Sequence, residues 1–249
     1  PTLGLGGTNN TFEVGFRENS GSGLQHFDGR LANVMVIEDV LTQSEVVELM
    51  RDTTYAKAQT FGTVNRFYTF ASNLNDSTGS HNLTGANSPT FTTIPANPTR
   101  YIDPSRGGSQ LELYTGRAIE LDGSADYLLG DSSLNGAADL SYSAWVNLDS
   151  NSGTRTIVGE NAKVTIYLYN NKIGVWNLWG NFGAGEYAEK QATDNAPTNT
   201  WVHVGVSYTY SSNTLKLYID GVDQPTVPSP AIGPGSTSGK IEIGGRNNP

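Results

Sequence analysis

The feature that most constrains this chain is a regular alternation of apolar and polar residues from Arg117 onward. A period of two is typical of β-strands that bury one face. Tight turns separate the alternating segments, with Asn170-Asn171 between two of them and Asp220-Gly221 after a third. The pattern predicts strands at 117–121, 140–148, 163–170, 172–178, 200–210, 214–220 and 240–245. Many short antiparallel strands favour a sandwich or a jelly roll.

The first fifty residues add two predicted strands, at 11–17 and 30–38, and one helix. Thr42 and Glu45 have the spacing of a capping box, in which each side chain satisfies a free N–H at the start of a helix. The helix is predicted to continue to about Ala56, with an apolar face made of Val46, Leu49 and Met50.

The segment from 57 to 116 differs from the rest because it is rich in Thr, Asn, Ser, Pro and Gly. We predict a short strand within 67–83 and a turn at Asp76-Ser77-Thr78-Gly79. The prolines favour a long irregular connection over 87–108.

Charge and composition exclude several kinds of partner. The net charge is −9, and no cluster of Lys and Arg offers the cationic surface that nucleic acid requires. No apolar run approaches the length of a membrane span, so we expect no membrane insertion. The chain has no Cys, which removes disulfides, thiolate metal sites and thiol catalysis.

Several segments resemble laminin G-like domains of the concanavalin A-like lectin/glucanase superfamily. The resemblance implies an all-β, jelly-roll β-sandwich with one short helix. In the order of the family, the similar segments are 116–128 (opening strands), 140–146 (next strand), 200–206 with 216–221 (central hairpin), and 27–34 with 41–45 (closing strand and helix).

The closing elements come first in this chain, so the strand order is cut or circularly permuted. We assign 1–56 to the closing strands and helix, 57–65 to a linker, and 66–249 to the opening and central strands. By itself, 66–249 would leave a long unpaired edge, which stable proteins avoid. We favour completion by 1–56 within one sandwich over completion by the next domain of a tandem array or by a neighbouring chain. A short similarity between 3–10 and 241–248 would agree with an array.

The resemblance extends to glucanases, whose catalytic strand carries carboxylates in the pattern Glu-x-Asp-x-(x)-Glu. Glu120 and Asp122 match the first two positions, but Ala125 and Asp126 stand where the second Glu is expected. Retaining hydrolysis needs two close carboxyl groups, one with a raised pKa, and Asp122 lies in an Asp-Gly turn. We therefore predict that the protein is not an enzyme.

A structural Ca²⁺ near the opening turn is common among the relatives that the resemblance suggests. Asp28, Asp122 and Asp126 are the residues that it implies as ligands, since calcium prefers hard oxygen ligands. Ordinary turn-forming aspartates are the alternative. The histidines His26, His81 and His203 are far apart in sequence, and we expect a satisfied, half-buried imidazole at His203 rather than a metal ligand.

Sugar binding needs an exposed aromatic ring and polar groups that orient hydroxyls. Trp179 and Phe182 lie beside glycines, and Asn181 and Tyr187 are close in sequence. These four residues are the predicted carbohydrate site, and a cluster that pins a long loop is the alternative. Trp145 and Trp201 lie in alternating segments and are assigned to the core.

The resulting prediction is a non-catalytic carbohydrate-binding or adhesive module of an extracellular, cell-surface or virion protein. Its partner would be a glycan. The alternative is a purely structural repeat of a fibre, a filament or a capsid decoration, whose partners would be copies of itself.

Overall fold

The computed structural model describes residues 11–15, 26–94, 116–131, 139–160, 164–177, 188–209, 212 and 214–225. Within them the chain forms fifteen strands and two helices. The elements are β1 (Thr11–Val14), β2 (Asp28–Glu38), α1 (Gln43–Arg51), α2 (Tyr55–Gln59), β3 (Thr63–Tyr68), β4 (Thr84–Ala86), β5 (Thr90–Thr93), β6 (Arg117–Asp122), β7 (Tyr127–Asp131), β8 (Asp139–Leu148), β9 (Arg155–Glu160), β10 (Val164–Tyr169), β11 (Lys172–Asn177), β12 (Ala188–Gln191), β13 (Trp201–Thr209), β14 (Thr214–Ile219) and β15 (Val222–Asp223).

The strands form two antiparallel sheets. Sheet A has the order β12-β11-β10-β9-β1-β7-β4, and sheet B has the order β15-β14-β13-β8-β2-β6-β5, with β3 also paired to β2. Alternate residues of both sheets contribute to one apolar core. Ile166 and Leu168 of sheet A, for example, share it with Tyr142 and Val204 of sheet B. The predicted all-β sandwich of the concanavalin A-like type is confirmed.

The leading segment supplies a central strand to each sheet. In sheet A, β1 lies between β7 and β9, and in sheet B, β2 lies between β6 and β8. Phe12 and Val14 of β1 and Leu31 of β2 are fully buried in the core. The strands that close the sandwich therefore come first in the sequence, as a permuted order requires.

One flank of β2 pairs with two different strands. Its first residues, 28–31, pair with β6, whereas 34–38 pair with β3. On its other side β2 pairs with β8, and the register of this pairing shifts between Ala32 and Met35. Asn33 has a left-handed φ of 50° at this irregularity. A bulge of this kind bends a strand and changes its partner. Here it lets one long strand serve both β6 and β3.

The helix begins as predicted and ends earlier. Oγ1 of Thr42 accepts a hydrogen bond from the backbone N–H of Glu45, and the Glu45 carboxylate accepts one from the N–H of Thr42. The capping box is thus confirmed. The predicted end near Ala56 is wrong, because α1 stops at Arg51 and buried Thr53 separates it from α2.

The segment 57–116 contains more regular structure than predicted. The assigned linker 57–65 includes the end of α2 and the start of β3. The strand predicted within 67–83 overlaps β3 only at Phe67 and Tyr68, because β3 begins at Thr63 and ends at Tyr68. Strand β5 lies inside the stretch predicted to be irregular. Four threonine side chains in β4 and β5 favour strands despite the neighbouring proline. The division of the chain into domains stays a prediction.

The predicted turns have the expected backbone. Asn170 and Asn171 both have left-handed φ values, 50° and 63°, as do Asp220 and Gly221, 47° and 75°. Two consecutive left-handed residues make the type I′ turn that suits a two-residue hairpin. The turn at 76–79 is also present, with the N–H of Gly79 donating to the carbonyl oxygen of Asp76 over 2.9 Å. The strand predicted at 240–245, the short similarity between 3–10 and 241–248, and residues 95–108 lie outside the described residues.

Candidate functional site

The residues predicted to bind sugar belong to the segment that joins β11 to β12. Trp179, Asn181, Phe182 and Tyr187 lie outside the described residues, so their role stays a prediction. The two strands that flank them are described, and they pair antiparallel, with Asn177 opposite Ala188. The predicted loop therefore starts and ends at one end of this strand pair in sheet A.

Two of the three aspartates predicted as metal ligands are directly opposite each other. Asp28 of β2 and Asp122 of β6 are cross-strand partners. A Cβ atom added at Gly123 would lie 2.6 Å from Cβ of Asp28, so a side chain larger than hydrogen does not fit there. Arg155 crosses this junction, with Nη2 3.6 Å from the Asp28 carboxylate and Nη1 donating to the carbonyl oxygen of His26 over 3.0 Å.

The Asp122 carboxylate organises the turn that follows β6. Its Oδ1 accepts hydrogen bonds from the backbone N–H groups of Ser124, Ala125 and Asp126, over 2.8 to 3.0 Å. Oδ2 accepts a further bond from Oγ of Ser124. The donors, above all the N–H of Ala125, hold the pKa of Asp122 well below its usual value. Asp122 is therefore an ionised acceptor near neutral pH, and it fixes its own turn.

The pKa values of the other two aspartates, Asp28 and Asp126, are raised. Burial raises the pKa of Asp28, partly offset by the Arg155 charge, and burial together with the Asp122 charge raises the pKa of Asp126. Within the residues that the structure describes, no three acidic or histidine side chains are grouped so that they could hold one metal ion. The arrangement does not fit a three-aspartate calcium centre, because Asp122 already accepts four bonds and Asp28 faces Arg155. No role for calcium is derived from it, and calcium binding stays a prediction.

The pair that resembles a glucanase motif is engaged in structural contacts. Nη2 of Arg30 donates to the Glu120 carboxylate over 2.7 Å, and Nη1 donates to Asp149 over 2.8 Å. Arg30 and Glu120 are also cross-strand partners. Glu120 is thus paired with a cation, and Asp122 has a lowered pKa. Both carboxyl groups are thus held by contacts within sheet B and the turn that follows β6.

The histidines lie apart from one another. His203 is fully buried, and its Nε2 hydrogen-bonds Oγ of Ser143 over 2.8 Å, as expected for a satisfied imidazole. Its exposed fraction is 0 %, so the ring is more buried than the half-buried position predicted from the sequence. His81 lies 3.1 Å from the Asp131 carboxylate, and the ring of His26 faces that of Tyr127.

Trp145 and Trp201 are buried, as predicted, but outside the core between the sheets. They form a small cluster with Ala32, Ala118 and Ile94. Trp145 alternates along β8 with the core residues Ala144 and Val146, so this cluster lies on the outer face of sheet B.

A row of four residues crosses the opposite face of the protein. Thr156, Tyr167, Gly174 and Gln191 are successive cross-strand partners on β9, β10, β11 and β12. We call them the Thr156 row. Tyr167 alternates with Ile166 and Leu168, which lie in the core, so the row is on the outer face of sheet A. Part of it could be found from the sequence, because the turn Asn170-Asn171 sets Tyr167 opposite Gly174.

A family model described as concanavalin A-like lectin/glucanases superfamily matches residues 121–249, which is more than half of the chain. The chain belongs to this superfamily. The match agrees with the sandwich described above and with the segments that resemble laminin G-like domains. Comparisons with curated proteins and with solved structures gave no match.

Membership in the superfamily limits the function in a general way. Laminin G-like domains are generally non-catalytic and usually extracellular, although the superfamily also includes glycosidases. A lectin-like domain of this type suggests binding to a glycan or adhesion. Neither helix among the described residues has the length and apolar character needed to cross a bilayer.

Proposed function

We propose that this domain is a non-catalytic carbohydrate-binding or adhesive module of an extracellular, cell-surface or virion protein. The observation that carries the proposal is the state of Glu120 and Asp122 in a sandwich of the lectin/glucanase superfamily. Glu120 is paired with Arg30, and Asp122 is held ionised by the N–H groups of its turn. With both carboxyl groups engaged in these contacts, the proposal assigns recognition rather than hydrolysis to the domain.

In this proposal the loop between β11 and β12 contributes to the glycan site. Trp179 and Phe182 would supply the aromatic surface for the sugar, with Tyr187 beside them, and Asn181 would orient a hydroxyl group. The family match includes all four residues.

The test is a glycan array with the wild-type protein and with Trp179→Ala. Specific binding by the wild type is expected, with a signal at least tenfold weaker for Trp179→Ala. Trp145→Phe is a suitable control because Trp145 is buried on the other sheet. An absence of binding by the wild type to any glycan would refute the proposal. Hydrolysis of β-glucans that Glu120→Gln abolishes would instead establish a glycosidase.

A second candidate function is a purely structural repeat of a fibre, filament or capsid decoration. It is favoured by the central position of β1 and β2, because strands that complete a sheet within one chain can also complete it in a neighbouring copy. Light scattering over a range of protein concentrations tests it. Assembly that depends on concentration is expected for such a repeat, and a monomer at all concentrations argues against it.

A further inference from the structure

The chain passes from one sheet to the other between β4 and β5. Strand β4, at the edge of sheet A, ends at Ala86, and β5, at the edge of sheet B, begins at Thr90. Asn87, Ser88 and Pro89 make the crossing, and we call these three residues the hinge. We call the chain before the hinge the donor unit and the chain after it the acceptor unit. The hinge is the covalent link between the two units.

The donor unit contains an apolar cluster that is almost entirely its own. The buried members that it contributes come from β2, α1, α2, β3 and the residue before α1, and they are Met35, Ile37, Leu41, Val46, Leu49, Ala58, Val64 and Phe67. Among the described residues, Tyr218 of β14 is the single buried member that the acceptor unit adds. A segment that carries its own apolar contacts keeps them when its surroundings change. The donor unit is therefore suited to move as one body.

The contacts between the two units are mainly strand ladders. Strand β1 pairs with β7 and β9, β2 pairs with β6 and β8, and β4 pairs with β7. Phe12, Val14 and Leu31 of the donor unit are fully buried in the shared core. The donor strands need an acceptor, because unpaired strands with apolar faces are unstable in water. The acceptor unit of another copy offers the same partners in the same register.

The hinge is strained when both units belong to one chain. Asn87 and Ser88 have φ values of 60° and 79°, both in the left-handed region, which serine adopts at a cost. Ser88 also precedes Pro89, and a residue before proline favours extended backbone. The turned hinge folds back on β4, since a Cβ atom added at Gly85 would lie 3.0 Å from Cγ of Pro89. The sequence Asn-Ser-Pro thus favours an extended crossing, whereas closure within one chain requires a turned one.

We infer that the partner of this chain is a second copy of itself, and that the copies exchange their donor units through an extended hinge. Every ladder between the units then forms between two chains, and the strain at Ser88 is relieved. A strained short hinge favours such exchange. High protein concentration favours it further by mass action. The inference rests on the second candidate function, to which it adds the partner, the exchanged segment and the hinge.

The first experiment changes the strain in the hinge. Each protein is unfolded in urea, refolded over a range of concentrations and analysed by chromatography with light scattering. Ser88→Gly removes the strain, because glycine adopts a left-handed φ freely, and Ser88→Val increases it. Ser88 is exposed, so both replacements leave the core intact. Asn171→Gly is the matched control, since Asn171 also has a left-handed φ, of 63°, but lies within the acceptor unit, between β10 and β11.

The second experiment distinguishes exchange from association through the surface. Arg30 of the donor unit and Glu120 of the acceptor unit are cross-strand partners, so cysteines at both positions reach the distance of a disulfide. The chain has no cysteine of its own. The oxidised double variant Arg30→Cys with Glu120→Cys is run on a denaturing gel without reductant. Exchanged copies are linked to each other, whereas a chain that closes on itself runs as a monomer even if it associates through its surface.

The expected result is a monomer after refolding at low concentration and copies linked through the cysteine pair at high concentration. Ser88→Gly should raise the dissociation constant of the dimer about a hundredfold, which is about tenfold for each of its two hinges. Ser88→Val should lower this dissociation constant. Asn171→Gly should leave it unchanged, because the turn between β10 and β11 is the same in the closed chain and in the exchanged dimer.

Two outcomes would overturn the inference, and they separate it from the second candidate function. Assembly that is the same in both Ser88 variants and leaves the cysteine pair closed within each chain refutes the exchange, while the structural function stands. A wild-type protein that stays monomeric at every concentration refutes both.

Discussion

Arg66 lies over the aromatic ring of Phe12, with its guanidinium carbon 4.6 Å from the ring centre. The arginine is on β3, which belongs to sheet B, and the phenylalanine is on β1 of sheet A. Arg66 is fully buried, and it also donates to the hydroxyl oxygen of Tyr68 over 3.2 Å and to the carbonyl oxygen of Asp131. One side chain thus links the leading strand of sheet A to β3 and β7.

We predict that Arg66→Ala lowers the free energy of unfolding by about 2 to 4 kcal/mol, because it creates a cavity and removes a desolvated cation–π contact. Arg30→Ala is the control. Its two ion pairs are partly exposed and should contribute about 1 kcal/mol or less. Urea unfolding measures both. If the two variants lost equal amounts of unfolding free energy, the buried contact of Arg66 would stabilise the protein no more than the exposed ion pairs of Arg30 do.

The Asp122 turn should make stability depend on pH. The pKa of Asp122 is lowered in the folded protein, so its contribution is present above the pKa of the unfolded chain and is lost as pH falls through the folded value. In urea unfolding, wild type and Asp122→Asn should therefore differ most near neutral pH, and the difference should begin to shrink below about pH 4 and go on shrinking toward the lower pKa of the folded protein. A constant difference from pH 7 to pH 2.5 would contradict the assigned role of the carboxylate.

The calcium prediction can be decided by thermal unfolding. If Asp28, Asp122 and Asp126 bind calcium, millimolar Ca²⁺ should raise the melting temperature of the wild type, and EDTA should reverse the increase. In that case the melting temperature of Asp126→Asn should not rise when calcium is added. Magnesium at the same concentration controls for ionic strength. A wild-type melting temperature that is the same in calcium and in EDTA would show that the aspartates are purely structural.

The contact between α1 and sheet B is tight at Gly205. A Cβ atom there would lie 2.9 Å from Cγ1 of Val46. Gly205→Ala should therefore destabilise the protein by about 1 to 3 kcal/mol through overpacking. In the double variant Gly205→Ala with Val46→Ala, part of this loss should be recovered, because the clashing methyl group is absent. Strictly additive losses would mean that a clash with Val46 is not the cause of the destabilisation.

Removal of residues 1–56 should prevent folding, since β6 and β8 would lose the strand between them. The deleted chain is expected in the insoluble fraction. Co-expression of 1–56 with 57–249 should restore soluble protein if the leading segment pairs with the rest of the sandwich. A soluble and cooperatively unfolding fragment 57–249 would show that completion is unnecessary.

Local features of this fold could be predicted from the sequence because they depend on neighbouring residues. The turn Asn170-Asn171 determines the hairpin of β10 and β11, and Thr42 with Glu45 determines where α1 begins. The predicted end of α1 is wrong because the chain leaves the helix at the buried residue Thr53. Burial depends on tertiary packing, which helix propensity does not report.

Long-range features could not be obtained in this way. The insertion of β2 between β6 and β8 was favoured by the order of family-like segments, not by any local signal. The bulge at Asn33 and the alignment of Thr156 and Gln191 with Tyr167 depend on strands distant in sequence. The Thr156 row on sheet A is therefore only partly predictable from the sequence, since the turn Asn170-Asn171 gives the pair of Tyr167 and Gly174 but not the other two residues.

The position of β2 has a consequence for synthesis of the protein in the cell. Gly29 pairs with Leu148, about 120 residues later in the chain. At a translation rate of about 5 to 20 residues per second, β3 is made soon after the closing strand, but β8, its partner on the other side, is made several seconds later. During that time its apolar residues need protection, so nascent chains of this protein should depend on chaperones until β8 has emerged.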